Sequence, residues 1–317
     1  MRDKVINKDC LRLTMSVSLS TESQFTQTRI TTNGGLESSA SSHNQSPSLS
    51  PKEFDYLSQL IHTKAGIFVP RNKIGMLEGR LVKRLRLLGL KDFSQYILFL
   101  KQDSAGKEFE FFVNALTTNK TEFFREKVHF EHLKEVLERQ HKQDTVFIWS
   151  AACSSGEEVY TLAMLCEELR LDAPAFDYRI LGTDIDTERL KMSATGIYEK
   201  STMSNTPPIY QQKYMESINH SNDNSYNNFK VGAKLRRRVK FRQHNLIDFD
   251  DNLPINFNFI FLRNVLFYFA KDNAEKIVRK LVSRLQPGGL FFVSLTETLR
   301  DMDVGLTQVG PSVYQKA

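Results

Sequence analysis

The sequence predicts an α/β protein: a doubly wound open sheet, preceded by a small all-helical domain and carrying a small β excursion. Three observations predict it. Phe147-Ile-Trp-Ser-Ala-Ala-Cys-Ser-Ser-Gly-Glu-Glu158 reads as strand, small-residue turn and helix, and Leu181-Gly-Thr-Asp-Ile-Asp186 as a second strand ending in acid. Short apolar runs then return around Val239, Phe257 and Leu290, with a helical pattern before the last of them. Short apolar strands alternating with helices are the pattern of a parallel sheet covered on both faces.

Taken in order, residues 1–50 are rich in Ser, Thr, Asn and Gln with almost no apolar periodicity, so they cannot bury enough surface to offset chain entropy; a disordered tail is expected, with Met15 as an alternative start. Residues 51–117 form the helical domain: Phe54, Leu57, Leu60 and Ile61 recur at helical spacing, as do Leu77, Leu81, Leu85 and Leu88, then Phe93, Tyr96, Ile97 and Leu100, then Phe109 to Leu116. Residues 118–317 form the sheet domain. Its first element is expected to be one helix over Thr121 to Arg139, with Asn119 as N-cap and Glu122 completing a capping box. Val146 to Trp149 and Tyr178 to Leu181 follow as strands, Glu157 to Arg170 as a helix, and Thr187 to Ala194 as a helix stopped by Gly196. The β excursion spans about 202–235. Val239 and Phe241, then Phe257 to Leu262, resume the sheet; Asn273 to Leu285 is a helix, Gln286-Pro-Gly-Gly289 a turn into Leu290 to Leu295, and a last strand near Val309 to Tyr314 pairs with it as a hairpin.

The turn after the first strand of the sheet carries the chemistry. Ala151, Ala152, Ser154, Ser155 and Gly156 leave room for a ligand against the backbone. A phosphate at the next helix would meet Glu157 and Glu158, which disfavours a pyrophosphate. Asp184, at the carboxyl end of the second strand, is placed to take two ribose hydroxyls. A nucleoside without phosphates fits, and S-adenosylmethionine is the commonest cofactor of that description. An ordinary βα loop with Asp184 capping the next helix is the alternative that these residues alone leave open.

The 43 Lys and Arg exceed the 37 Asp and Glu by six, and the excess has a local source: seven basic residues against Glu78 alone between Arg71 and Lys91. On a helical projection Lys73, Arg80, Lys83 and Arg84 share an arc opposite the leucines, which predicts a solvated face with acidic partners. Nucleic acid is disfavoured because aromatic residues do not interleave with the charge. No apolar stretch approaches membrane-spanning length, and residues 1–7 lack the apolar run of a secretory signal, so a cytoplasmic protein without membrane insertion is expected. Cys10, Cys153 and Cys166 cannot all pair and show no metal spacing. His129 and His132 stand three apart but lack companion ligands, and read as exposed helix histidines. Asn205-Thr-Pro-Pro-Ile-Tyr210 resembles an amino-methylation motif but is interrupted by Thr and lies in the excursion, against amine methylation.

Thr117-Thr-Asn-Lys-Thr-Glu-Phe-Phe-Arg-Glu126, Ser-Ser-Gly-Glu-Glu158, Gly-Thr-Asp-Ile-Asp186, His244-Asn-Leu246 and Phe261-Leu-Arg-Asn-Val-Leu-Phe-Tyr-Phe269 together resemble the chemotaxis receptor methyltransferases of the CheR family, over roughly residues 51–300. The resemblance implies methyl transfer from S-adenosylmethionine to receptor glutamates, with Arg125 at the cofactor and Tyr268 at the methyl group. By the same match Asn119, Thr121, Arg125, Glu158, Asp184, Asn245, Leu246, Arg263 and Asn264 contact the cofactor. It also implies that the helical domain of a monomer docks on acidic helical receptor tails through Arg80, Lys83, Arg84 and Arg86. Val159 stands where relatives often have Pro, Thr296-Glu-Thr-Leu299 replaces Ser-Glu-Ser-Leu, and residues 215–231 lack the glycine of relatives that tether to a receptor pentapeptide. The competing classes are a non-catalytic docking module on the same fold and a nucleic-acid methyltransferase.

Overall fold

The computed structural model describes residues 47–117, 120–140, 144–218, 228–248 and 256–317. Residues 1–46 of the polar tail, with Cys10 and Met15, and the expected N-cap Asn119 lie outside the described residues. Residues 47–50 depart from the expected disorder, since Leu49 is buried in the helical core and donates its N–H to Glu78 at 2.8 Å.

Four helices, α1 (Pro51–Ala65), α2 (Ile74–Leu88), α3 (Phe93–Gln102) and α4 (Lys107–Leu116), enclose one core. Ser50 and Glu53 form a reciprocal capping box at the start of α1, and the Asp92 side chain caps α3. Leu77, Leu81 and Leu85, one turn apart, are fully buried on α2, each stabilising by about 1.5–3 kcal/mol on burial. The solvated basic arc expected opposite them is divided. Arg80 turns toward α4 and donates to the carbonyls of Ala115 and Leu116 at 3.1 and 2.8 Å, satisfying oxygens that the helix end leaves unpaired. Arg84 forks onto buried Glu108 at 3.0 and 2.5 Å, and Tyr96 donates to the same carboxylate at 3.0 Å. Lys83 and Arg86 remain exposed.

The expected helix over Thr121 to Arg139 begins instead at Lys127, as α5 (Lys127–Gln140). Residues 123–126 form turns with Phe124 and Glu126 both left-handed at φ 57°. Two adjacent aromatics must both be buried there, in different places. Phe123 meets Tyr198 edge-on at 4.9 Å, while Phe124 packs on Tyr210 at 5.1 Å and donates its N–H to Thr161 Oγ1 at 3.1 Å. Neither of those two φ values is compatible with a right-handed helix, so the helical path cannot extend upstream of Lys127. On α5, His129 is buried, not exposed, because that helix packs against the C-terminal hairpin. His129 Nε2 lies 3.1 Å from the Pro311 carbonyl, and burial, aided by Arg263, lowers its pKa to about 4.

The sheet contains β1 (Thr145–Ala151), β2 (Asp177–Asp184), β6 (Val239–Gln243), β7 (Phe257–Phe261), β8 (Leu285–Phe292), β9 (Leu306–Gly310) and β10 (Val313–Lys316), in the order β6-β2-β1-β7-β8-β10-β9. The first five run parallel, with Ile148 of β1 opposite both Ile180 and Phe259. Where one terminal strand was expected, β9 and β10 form a hairpin that adds antiparallel to β8, turning at Ser312 with φ 55°. Buried helix α6 (Glu157–Asp172) follows β1, α7 (Thr187–Thr195) follows β2 and ends on left-handed Gly196, and α10 (Lys271–Ser283) precedes β8. The excursion is a small antiparallel sheet of β3 (Ile197–Glu199), β4 (Met215–Ile218) and β5 (Asn228–Val231), with short helices α8 (Pro208–Tyr214) and α9 (Ala233–Arg236). Among the described residues no helix is long and apolar enough to cross a membrane.

Candidate active site

From β1 the chain passes outward to β2 and β6, then crosses back to β7 on the other side of β1. An open parallel sheet forms a crevice at such a reversal, outside the carboxyl ends of its strands. Here that crevice is a cleft open to solvent. Thr121, Arg125, Glu158, Asp184, Asn245, Leu246, Arg263, Asn264 and Tyr268 all line it. Motifs nearly 150 residues apart in the chain therefore meet on one cavity.

The small-residue turn is held from β2. Cys153 donates its N–H to the Thr183 carbonyl at 2.8 Å, and Ser154 donates its N–H to Asp184 Oδ2 at 2.7 Å. Gly156 sits at φ 92°, where a Cβ would lie 2.6 Å from that of Ser193. Asp184 Oδ1 accepts the Asp186 N–H at 2.9 Å, and the Ile185 N–H also bonds the carboxylate, which still leaves acceptor capacity for a ligand. Burial pushes the Asp184 carboxyl up to about 6, against the pull of its backbone donors. Asp186, rather than Asp184, caps α7 through the Glu188 and Arg189 N–H groups. Burial, then Asp184, raise the Cys153 thiol pKa well above its usual value, which suits packing and not nucleophilic chemistry.

The opposite wall is a chain of ion pairs. Glu158 accepts from Ser150 Oγ and from Arg263, both at 2.7 Å. Arg263, almost fully buried, also donates to Glu126 at 3.1 Å and to the Arg125 carbonyl. Burial alone would raise the Glu126 pKa, but Arg263, Ser294 and the Leu295 N–H hold it below the usual carboxylate range. Arg263 thereby ties the end of β7 to the Phe-Phe-Arg turn and fixes where Arg125 leaves the backbone. The Arg125 guanidinium itself is steadied by the Lys120 carbonyl at 2.8 Å.

Several contributors went unread in the sequence. Ala65 and Ile67 bring the end of α1 into the lining, and Asn245 donates to the Lys64 carbonyl at 2.8 Å. Gly66 at φ 70° permits this, since a Cβ there would lie 2.3 Å from Ile247 Cδ1. Phe68 donates its N–H to the Tyr268 carbonyl at 2.7 Å and Ile67 bridges Phe269, joining the helical layer to the segment that carries Tyr268. Glu126, Ser294 and Glu297 support the site from within or beside the motifs, but their acceptor roles leave no periodicity to detect.

A buried carboxylate with spare lone pairs, apolar walls from Ile67, Leu246 and Phe269, and a helix start occupied by Glu157 and Glu158 suit a nucleoside carrying no phosphate. Residues 119–314 match the family described as CheR methyltransferase, SAM binding domain, and residues 52–117 match CheR methyltransferase, all-alpha domain. The chain is 37% identical over 266 residues to a chemotaxis protein methyltransferase of Salmonella typhimurium, covering 84% of this chain and 90% of that one. It is 36% identical to the Escherichia coli protein of the same name, covering 84% and 91%, and 34% identical to chemotaxis protein methyltransferase 2 of Pseudomonas aeruginosa, covering 84% and 93%. The chain thus belongs to the CheR methyltransferase family and carries both of its parts, a helical domain and a domain that binds S-adenosylmethionine.

Proposed function

We propose that this enzyme methylates glutamate side chains in the cytoplasmic helices of chemoreceptors, producing glutamate methyl esters in the cytoplasm as a monomer. The observation that carries the reading is that Arg125 and Tyr268 line the same cleft as Asp184 and Glu158. The cofactor supplies an electrophilic methyl group on sulfur. A glutamate carboxylate is already ionised near neutral pH, so no general base is required. What remains is alignment and exclusion of water. Arg125 grips the carboxylate through paired N–H donors, and the Tyr268 hydroxyl orients it without neutralising it. Asp184 takes the ribose hydroxyls; Asn119, Thr121, Glu158, Asn245, Leu246, Arg263 and Asn264 complete the cofactor's surroundings, Arg263 chiefly by holding Glu158.

Receptor docking in this reading falls to Lys83 and Arg86, the exposed members of the basic set, while Arg80 and Arg84 hold α2 against α4. The test is incubation with methyl-labelled cofactor and purified receptor cytoplasmic fragments. Label on the receptor that is released by mild alkali is the expected ester; label that survives alkali indicates amine or amide methylation and overturns the glutamate assignment.

A further inference from the structure

Two large aromatic side chains stand out into solvent beside the methyl-transfer cleft. Phe267 is 62% exposed and Phe68 is 55% exposed, although most of the phenylalanines among the described residues are buried. They come from different layers of the molecule, yet the backbone places them together. Phe267 precedes Tyr268, with ring centroids 4.4 Å apart, and Phe68 donates its N–H to the Tyr268 carbonyl. The Ile67–Phe269 bridge fixes both segments, and Ile67, Tyr268 and Phe269 all line the cleft.

We infer that Phe68 and Phe267 form an apolar substrate-docking rim that packs on non-polar side chains flanking the acceptor glutamate. The inference rests on the proposed function and adds a specificity element to it. A glutamate side chain spans only about 5 Å from Cα to its carboxylate oxygens. A protein substrate whose carboxylate reaches Arg125 and Tyr268 must therefore lay its backbone across the cleft mouth, next to the segments in which Phe68 and Phe267 adjoin the lining residues Ile67 and Tyr268. On a helical substrate the residues three and four positions from the glutamate share its face and fall within reach of the rim. Aromatic side chains buried at the centre of an interface contribute disproportionately to binding. Lys120 and Arg125 line the same cleft and complement acidic neighbours of the acceptor. The expected partner is thus an amphipathic helix that combines carboxylates with apolar residues on the methylated face.

Phe68→Ala and Phe267→Ala, singly and together, are compared with Leu171→Ala, an equally exposed apolar residue at the far end of α6. Methylation of receptor cytoplasmic fragments is measured at low and high salt, with cofactor affinity and melting temperature as controls on the fold. The expected result is a KM for receptor raised about tenfold in the double variant, persisting at high salt because apolar contact is not screened, with cofactor affinity and melting temperature unchanged. Leu171→Ala should match the parent. An unchanged KM in a folded double variant that still methylates receptor overturns the rim and leaves the proposed function standing. Absence of alkali-labile label with the parent protein overturns the function itself. A loss in cofactor affinity equal to the loss in receptor turnover would make the two rings part of the cofactor site and also overturn the inference.

Discussion

Glu297 reaches from the loop after β8 to the backbone of Asn264, accepting its N–H at 3.0 Å through Oε2, where Asn264 is held in the left-handed region at φ 59°. The same carboxylate accepts the N–H groups of Val265 and Leu266 at 2.9 and 2.8 Å and of Ser294 at 3.0 Å. Four main-chain donors converge on one side chain, and three belong to the segment leading into Tyr268. Asn264 Nδ2 also donates to Ser294 Oγ at 2.7 Å, and Ser294 Oγ to Glu126 at 2.7 Å, so this clamp joins the ion-pair chain behind Arg125.

Glu297→Gln keeps the shape of that clamp but replaces one acceptor with a donor, leaving two N–H groups facing an amide. Each unsatisfied buried donor costs about 1–3 kcal/mol. Single-turnover kinetics should show methyl transfer slowed by about tenfold or more, with a smaller change in cofactor affinity measured by calorimetry.

Asp184→Ala should weaken cofactor binding by about 1.5–3 kcal/mol, the size of hydrogen bonds to a charged group, in chelator as well as without it. Unchanged affinity in a folded variant would contradict its assignment to the ribose.

The raised pKa of Asp184 gives two pH dependences of opposite sign. Its folded value of about 6 lies above the usual 3.8, so its contribution to stability is fully present below about pH 3.8 and is lost as pH rises through about 6. Relative to Asp184→Ala, the parent's melting temperature should therefore fall between pH 4 and 7. Cofactor affinity should run the other way, declining as pH drops below about 6, because a protonated carboxyl is the poorer acceptor for ribose hydroxyls.

Arg125→Ala and Tyr268→Phe should reduce methyl transfer while leaving melting temperature near that of the parent, since Arg125 lies outside the core clusters and Tyr268→Phe keeps the ring that packs against the helical core. Rates at saturating receptor separate alignment from binding: a fall in kcat is expected for both.

The basic residues of α2 should divide experimentally as they divide in space. Lys83→Glu with Arg86→Glu should raise the KM for receptor at low salt, and the effect should fade as salt rises. Arg84→Ala should instead lower stability by about 3 kcal/mol, because it strips Glu108, 4% exposed, of its cation. Denaturant unfolding distinguishes the two outcomes.

The sequence by itself determined the elements whose evidence is periodic or contiguous. The leucine spacing of α2, the strand-turn-helix around Gly156, the acid ending β2 and the order of five motifs were all legible, and the site residues they named within the described residues line one cleft. Tertiary structure decided which way the polar side chains face. Arg80 and Arg84 turn from the expected solvated arc because their acceptors lie on α4, 24 and more positions along the chain. Thr121 to Glu126 leave the helical path, with Phe123 packed on Tyr198 and Phe124 on Tyr210 in one core, and His129 is covered by a hairpin where a single strand was expected. Glu297 finds three of its four main-chain donors about 30 positions away. A local pattern specifies which face of an element is apolar, because burial follows the period of the element. It does not specify the partner of a charged group, which is set by whichever carbonyl or carboxylate the packing of distant elements brings within hydrogen-bonding distance.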